Sequence, residues 1–381
     1  MIVEHLSNSI DIKQYLKDMN VDAGGVSILS AKAKIHIIKI KNLHVGGANI
    51  LKQDALSIGA DLAVPRGTVL AKTPSVDCLL IATTAHLKTL ARKELAQPFG
   101  LKEFAHKLRE ILSAKADKEI KIMGVINAND DSFYGDSRFN SKDAVVKIEL
   151  MIEEGATIID IGAVSSAPNT KSVSAEEELS RIKPLLEMIK VQKLYEKVDF
   201  SIDSYEPLVI EQALNAGFKI VNDITGLAND EVCKLCAKYG ASAVIMHMQG
   251  TPQTMQDNPQ YSDVLNEVYI FLQQRVQKAE SFGIKDIILD VGIGFGKTLK
   301  DNLMLIKHLE HFMSLGKPLL VGASRKSMIA MIDNDVDVKE RLAGTLALHI
   351  EALKNGASIL RVHDVKEHSQ VIKTLEALKR V

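Results

Sequence analysis

The sequence predicts an α/β chain whose larger part is a (β/α)8 TIM barrel, preceded by a small N-terminal α/β domain. Three observations carry this. From about residue 118 one pattern recurs eight times: a short apolar run, a polar or Gly-rich turn, then an amphipathic stretch of helix length. Several runs are apolar on both pleat faces, as in strands buried inside a parallel sheet. The eight units fill residues 120–381, close to the ~250 residues typical of such a barrel. A doubly wound open sheet would carry fewer strands and a glycine fingerprint after the first, whereas here run one is followed by ANDDSFYG.

In chain order the runs are Ile120–Asn127, Thr157–Ala163, Val198–Asp203, Lys219–Thr225, Ser242–Met248, Asp286–Val291, Pro318–Ser324 and Ser358–Asp364. Gly155, Gly217, Gly240 and Gly356 each follow a helical segment, where a left-handed C-cap is expected. Ser174 with Glu177 reads as a capping box opening the helix after run two. Residues 1–117 mix strand-like patches, Lys34–Ile40 and Cys78–Thr83, with Gly-rich loops and a helical stretch near Leu101–Leu112. The charged segment SAKADKE then serves as a linker. It sets the domain boundary between 117 and 118.

The 381 residues carry 47 Lys and Arg against 48 Asp and Glu, a net charge of −1. That balance argues against binding nucleic acid or anionic membrane through bulk positive charge. Aromatic residues are 4% and Trp is absent, which argues against a base-stacking surface. Three cysteines are too few for a disulfide scaffold. No apolar stretch has the length of a membrane span and the start lacks a leader-like run, so a cytoplasmic protein is expected.

In this fold the chemistry lies at the C-terminal strand ends. Seven of the eight runs end in polar groups: Asn127, Asp203, Asn222-Asp223, His247, Asp290, Ser324 to Ser327, and Arg361 with His363 and Asp364. Run two carries Asp160 inside it and leads into Ser165 to Asn169. Singly, Asp223 or Asp364 reads equally well as a loop cap; the ring as a whole reads as a site. Arg361 and His363 lie two apart on one strand and so point the same way. With Ser324 and Arg325 they suit a phosphate. Asp203, Asn222 and Asp290 suit a flat heterocycle with amino and oxo edges, with Lys326 a cationic donor beside it. Asn127 and Asp131 are hard oxygen donors fit to help hold Mg²⁺ with substrate phosphates.

Two motifs are set aside. Gly292 to Lys297 fails the Walker A pattern because Val291 stands where its first glycine belongs, and fails G-x-G-x-x-G because Lys297 replaces the third. Its glycines are read as allowing backbone to approach a ligand closely. Cys233 and Cys236 form a C-x-x-C inside a helical segment and are read as small packing residues. Met246 either packs in the barrel or lines a ligand.

Taken together these residues resemble the dihydropteroate synthases of the pterin-binding barrel family. The resemblance runs through Ile122 to Asn127 with Asp131-Ser132-Phe133, Ile158 to Gly162, Ser201 to Tyr205, Asn222 to Gly226 and His247 to Pro252. It continues through Asp290 to Lys297, Ser324 to Ser327, Arg341 to Gly344 and Arg361 to Asp364. It implies a Mg²⁺-dependent condensation of 6-hydroxymethyl-7,8-dihydropterin diphosphate with para-aminobenzoate, giving 7,8-dihydropteroate and pyrophosphate. By the resemblance, Asp203, Asn222, Met246, Asp290 and Lys326 hold the pterin. Arg361, His363 and Asn127 hold the diphosphate, Asn127 also meeting the metal. Ser166, Pro168, Phe295 and Ser327 surround the aminobenzoate. Asp131, Lys326 and Arg361 are the expected catalytic residues, and a homodimer is expected.

Two loops depart from the family pattern. Where Asn-x-Thr-Pro-Asp-Ser-Phe is usual the chain has Asn127 to Phe133 as NANDDSF, and where Ser-Thr-Arg-Pro-Gly is usual it has Ser165 to Asn169 as SSAPN. Two other readings follow: a methyltetrahydrofolate-binding corrinoid methyltransferase, which needs no diphosphate site, and a pterin-binding protein impaired in catalysis, suggested by Ala167. The stretches Gly47 to Gln53 and Val64 to Gly67 look similar to N-terminal extensions of some synthases. They are read as part of a domain that packs on the barrel or mediates assembly.

Overall fold

The structure is a computed structural model and describes residues 1–4, 6, 10–113, 119–127, 137–164 and 173–378. The chain divides into two compact units, Met1–Lys115 with Leu375–Val381, and Ala116–Thr374.

In the first unit, strands β1 (Ile35–His44), β2 (Asp61–Ala63) and β3 (Ser75–Thr83) form an antiparallel sheet in the order β1-β3-β2. Cys78, Leu80 and Ala82 alternate along β3 and are buried, as period-2 patterning requires. They join a core with Leu51, Leu87, Leu90 and Leu108, contributed by helices α3 (Val45–Ser57), α4 (Thr84–Lys93) and α5 (Leu101–Ser113). The opposite sheet face leaves Ile37 and Ile81 exposed and directly paired.

In the second unit, β4 (Lys121–Asn127), β5 (Ile158–Gly162), β6 (Asp199–Asp203), β7 (Ile220–Asp223), β8 (Ser242–Met246), β9 (Ile287–Asp290), β10 (Leu319–Val321) and β11 (Ile359–Val362) close a parallel barrel in sequence order. Each strand lies inside its expected run. Outward side chains such as Ile159, Val221, Leu289 and Leu360 pack under the surrounding helices. Inward ones, Met123, Ile158, Ile220, Val244, Ile288, Leu320 and Ile359, form a separate plug. One pleat repeat further toward the C-terminal ends, the same inner face changes character. Asp160, Asn222, Met246, Asp290 and Arg361 each follow a plug residue by two positions. Gly322 stands in the equivalent place on the β10 side, and a Cβ there would lie 3.7 Å from the Arg361 Cβ. The barrel therefore has an apolar floor and a polar mouth.

Helix ends follow their local signals. Gly240 ends α9 (Asp230–Tyr239) with φ 64°, the left-handed cap that glycine adopts without steric cost. Ser174 Oγ accepts from the Glu177 amide at 3.2 Å to open α7 (Ala175–Val191). Only this half of the expected capping box forms, because the Glu177 carboxylate is drawn to Arg181 at 2.5 Å. Cys233 and Cys236 are buried free thiols of α9, and burial raises both their pKa values.

Candidate active site at the barrel mouth

Arg361, on β11, reaches across the mouth. Its Nε donates to Asp160 Oδ2 and its Nη2 to Asp203 Oδ2, each at 2.6 Å. Asn222 Nδ2 donates to the same Asp160 oxygen at 3.1 Å. Two expected site residues, Arg361 and Asn222, thus meet on Asp160, which is completely buried, and Asp203 joins them through Arg361. Asp160 Oδ1 has no hydrogen-bond partner, which leaves acceptor capacity beside the network. Burial opposes the Arg361 charge, but Asp160 and Asp203 outweigh it and raise its pKa. Burial pushes the Asp203 carboxyl up and Arg361 pulls it back.

Asp160 was visible in the sequence as a charge within an otherwise apolar run, but it was given no role. The signal was its position two residues beyond Ile158 on the inner face. Arg361, expected at the diphosphate, is thus bonded to Asp160 and to the expected pterin contact Asp203. Arg325 is not available to a phosphate. Its Nε and Nη2 grip Asp364 at 2.9 and 2.6 Å, and its Nη1 donates to the carbonyls of Val338 and Lys339.

Two strands round the barrel from Arg361, Asp290 ends β9 beside Met246, its register partner at the end of β8. Asp290 Oδ1 accepts from the Gly292 amide at 2.7 Å, and burial raises its pKa. Lys326 caps the N-terminus of α12 (Ser327–Ile332). Its Nζ donates to the Ile293 carbonyl at 2.6 Å and lies 4.0 Å from the Phe295 ring centroid, a cation–π contact. Burial lowers the Lys326 pKa to about 8, against the opposing pull of Asp290. Ser327 is exposed as the first residue of α12.

The loop after β9 is interlocked with the loop after β8. Gly292 has φ 69°, and a Cβ there would fall 1.8 Å from the His247 carbonyl oxygen. Gly296 approaches Gln249 in the same way. Lys297 does not face the mouth. Buried, it donates to the carbonyls of His247, Gly292 and Phe295 at 3.2, 2.8 and 2.9 Å and lies 3.0 Å from His247 Nδ1. Burial lowers its pKa to about 7 and that of His247 to about 3. Gly292 and Gly296 thus serve backbone against backbone, while a Cβ at Gly294 would meet the Lys326 side chain at 2.8 Å.

On the far side, His363 follows β11 and is exposed. Its amide donates to Ser324 Oγ at 3.2 Å, and its Nδ1 lies 2.9 Å from the same oxygen. The amide and the ring of His363 are thus both anchored on one hydroxyl. Desolvation, then Arg361, holds the ring's pKa down at about 4. Asn127 ends β4 next to Gly162. Asp223 is a loop cap, accepting from Thr225 and Leu227. Asp131, Ser166 and Pro168 lie outside the described residues, as does Ala167.

A parallel barrel with carboxylates, a carboxamide and buried cations converging on its C-terminal mouth is an enzyme for a planar, doubly hydrogen-bonding ligand. Residues 123–363 match the family of pterin binding enzymes. The chain is 42% identical over 379 residues to the bifunctional dihydropteroate synthase/dihydropteroate reductase of Helicobacter pylori, covering all of this chain and 99% of that one. It is 42% identical over 263 residues to the dihydropteroate synthase of Haemophilus influenzae, covering 68% of this chain and 93% of the relative. The crystal structure of Xanthomonas albilineans dihydropteroate synthase with 4-aminobenzoic acid superimposes with a TM-score of 0.64 at 34% identity, over 69% of this chain and 94% of that one. The chain belongs to the pterin-binding enzyme family, among its dihydropteroate synthases.

Proposed function

We propose that the ring of residues at the barrel mouth carries out the synthase reaction. The chain condenses 6-hydroxymethyl-7,8-dihydropterin diphosphate with para-aminobenzoate, forming 7,8-dihydropteroate and pyrophosphate. In that reaction the aminobenzoate nitrogen bonds to the pterin methylene carbon. The bond from that carbon to the diphosphate oxygen breaks, the pair leaves with pyrophosphate, and the amine loses a proton.

Asp203, Asn222 and Asp290 take the amino and oxo edges of the pterin, with Met246 and Lys326 against its ring. Arg361 and the neutral His363 donate to the departing diphosphate, and such preorganised donors are where catalysis of this type gains most. Phe295, Ser327, Ser166 and Pro168 surround the aminobenzoate. The observation that carries the reading is the Arg361 guanidinium held on Asp160 and Asp203, a cation bonded to a carboxylate that the reading gives to the pterin.

Mg²⁺ fits this donor set. Asn127 supplies a hard oxygen, with Asp131 four residues further along the sequence, and the described residues contain no group of three or more His, Cys, Asp or Glu that could hold a metal. When bound, the ion neutralises charge on the leaving diphosphate. The deciding experiment incubates the protein with the pterin diphosphate, para-aminobenzoate and Mg²⁺ and follows dihydropteroate and pyrophosphate in equal amounts. Absence of product from the wild-type chain would overturn the reading, and undiminished product from Arg361→Ala would remove Arg361 from the chemistry. A homodimer and a cytoplasmic location complete the proposal; no described helix is long and apolar enough to cross a membrane.

A second activity is favoured by one observation: the relative aligned over the whole chain carries dihydropteroate reductase in its name. Reduction of dihydropteroate to tetrahydropteroate adds a hydride, supplied by a reduced nicotinamide or flavin that is oxidised in turn, and a proton, supplied by water. Tetrahydropteroate formed by the full chain with either reductant supports it, and its absence with both overturns it.

A further inference from the structure

We propose that His349 and His368, a buried histidine pair behind the mouth, are positioning residues for the diphosphate end of the site. The inference rests on the assignment of Ser324 and His363 to that end. His349 lies on α13 (Leu342–Lys354) and His368 on α14 (Val365–Leu378). They are 1% and 0% exposed, and their ring centroids are 4.9 Å apart.

Every ring nitrogen is used. The Ala323 amide donates to His349 Nε2 at 3.1 Å, His349 Nδ1 meets His368 Nε2 at 2.8 Å, and His368 Nδ1 meets the Asp364 carbonyl at 2.6 Å. An amide can only donate and a carbonyl can only accept, so the chain has one direction. His349 accepts on Nε2 and carries its proton on Nδ1; His368 does the same. Both rings are neutral, and burial lowers both pKa values, that of His349 to about 3.

The two ends of this relay are the residues next to the expected anion donors. Ala323 precedes Ser324, and Asp364 follows His363. One turn before His349 on α13, Thr345 Oγ1 accepts from the Arg325 amide at 2.9 Å. Thus α13 holds the loop after β10 by two alternate amides, and His368 carries that hold to the loop after β11. Arg325 and Asp364, paired directly, close the circuit. The Ser324–His363 contact at the mouth is set from behind by these imidazoles. Nothing in the mouth itself needs to touch them.

Two measurements test this. His349→Leu cuts the relay, while His349→Gln keeps one acceptor and one donor. The Leu variant should lose about ten- to hundredfold in kcat/KM for the pterin diphosphate, the scale of a small misplacement of catalytic groups. Binding of the pterin alcohol, which lacks diphosphate, should stay within about twofold, and the Gln variant should recover most of the loss. Equal losses for both ligands, or a Gln variant no better than Leu, would overturn the proposal.

The second measurement needs no variant to fold and no substrate. In ¹⁵N-histidine spectra of the full chain, two imidazoles should stay neutral between about pH 6 and 8 and carry the proton on Nδ1, the minor tautomer of free histidine. If no such pair exists, the relay is wrong whatever the enzyme turns over. If the pair is present but wild-type protein makes no dihydropteroate, the relay stands and the site assignment fails.

Discussion

Arg361 donates to Asp160 from its Nε at 2.6 Å, and Asp160 is wholly buried. The guanidinium is fixed before any ligand arrives. Its second carboxylate, Asp203, is an expected pterin contact, so the cation and the pterin grip are one assembly.

That assembly shapes the effect of Arg361→Ala. Removing one member of a buried ion pair costs about 3–5 kcal/mol, and here it strands two carboxylates. Affinity for the pterin diphosphate should fall about a hundredfold, and that for the pterin alcohol about tenfold as Asp203 loses its partner. Calorimetry with both ligands measures the difference. Equal losses would deny Arg361 a diphosphate role.

Lys326 is held at about 8 by burial. Its cationic form, which donates to Ile293 and faces Phe295, is lost above that value. The kcat/KM for the pterin diphosphate should therefore fall on the alkaline side of about pH 8. Lys326→Arg, whose side chain keeps its charge, should move that limb upward by more than a pH unit. An unmoved limb would assign it to another group.

For Lys297 the consequence is stability. Its folded-state pKa is about 7 against an ordinary 10.5. Between these values the unfolded chain binds more protons than the folded one, so stability rises with pH across that window. Urea unfolding of wild type and Lys297→Met at pH 7 and pH 10 measures it. The difference, wild type minus variant, should increase at the higher pH. A constant difference would mean the buried amine stays charged.

Gly292→Ala places a methyl group against the His247 carbonyl. A clash with backbone has no rotamer to escape into, and overpacking of this kind costs about 3 kcal/mol. Thermal unfolding should drop by several degrees, with Lys326 and Asp290 displaced and activity reduced. Wild-type behaviour would mean that the two loops are not locked together.

The barrel was legible because its signals are local and repeated. Eight apolar runs at regular spacing have few other uses, and the polar residues at their ends mark the mouth whatever the side chains do there. Pairing was less legible. Sequence places Arg361 and Asp160 on strands 201 residues apart, and only barrel closure, which sets β11 beside β4 and β4 beside β5, brings them together. Arg325 shows the converse. Adjacent to Ser324 and Lys326, it reads as another phosphate cation, but its φ of 54° turns it away to Asp364. The two imidazoles on α13 and α14 gave no sequence signal, because 19 residues of separation name no contact.

The hydrogen-bonded network at the mouth also bears on how such an enzyme changes over time. Asp160, Asp203 and Arg361 share ion pairs so closely that replacing any one of the three leaves a buried charge or donor unanswered. In a protein stable by only about 5–15 kcal/mol, such a loss takes a large share. An inhibitor that engages this network therefore meets residues that can be exchanged only in concert, and resistance to it has to arise from the loops around the mouth.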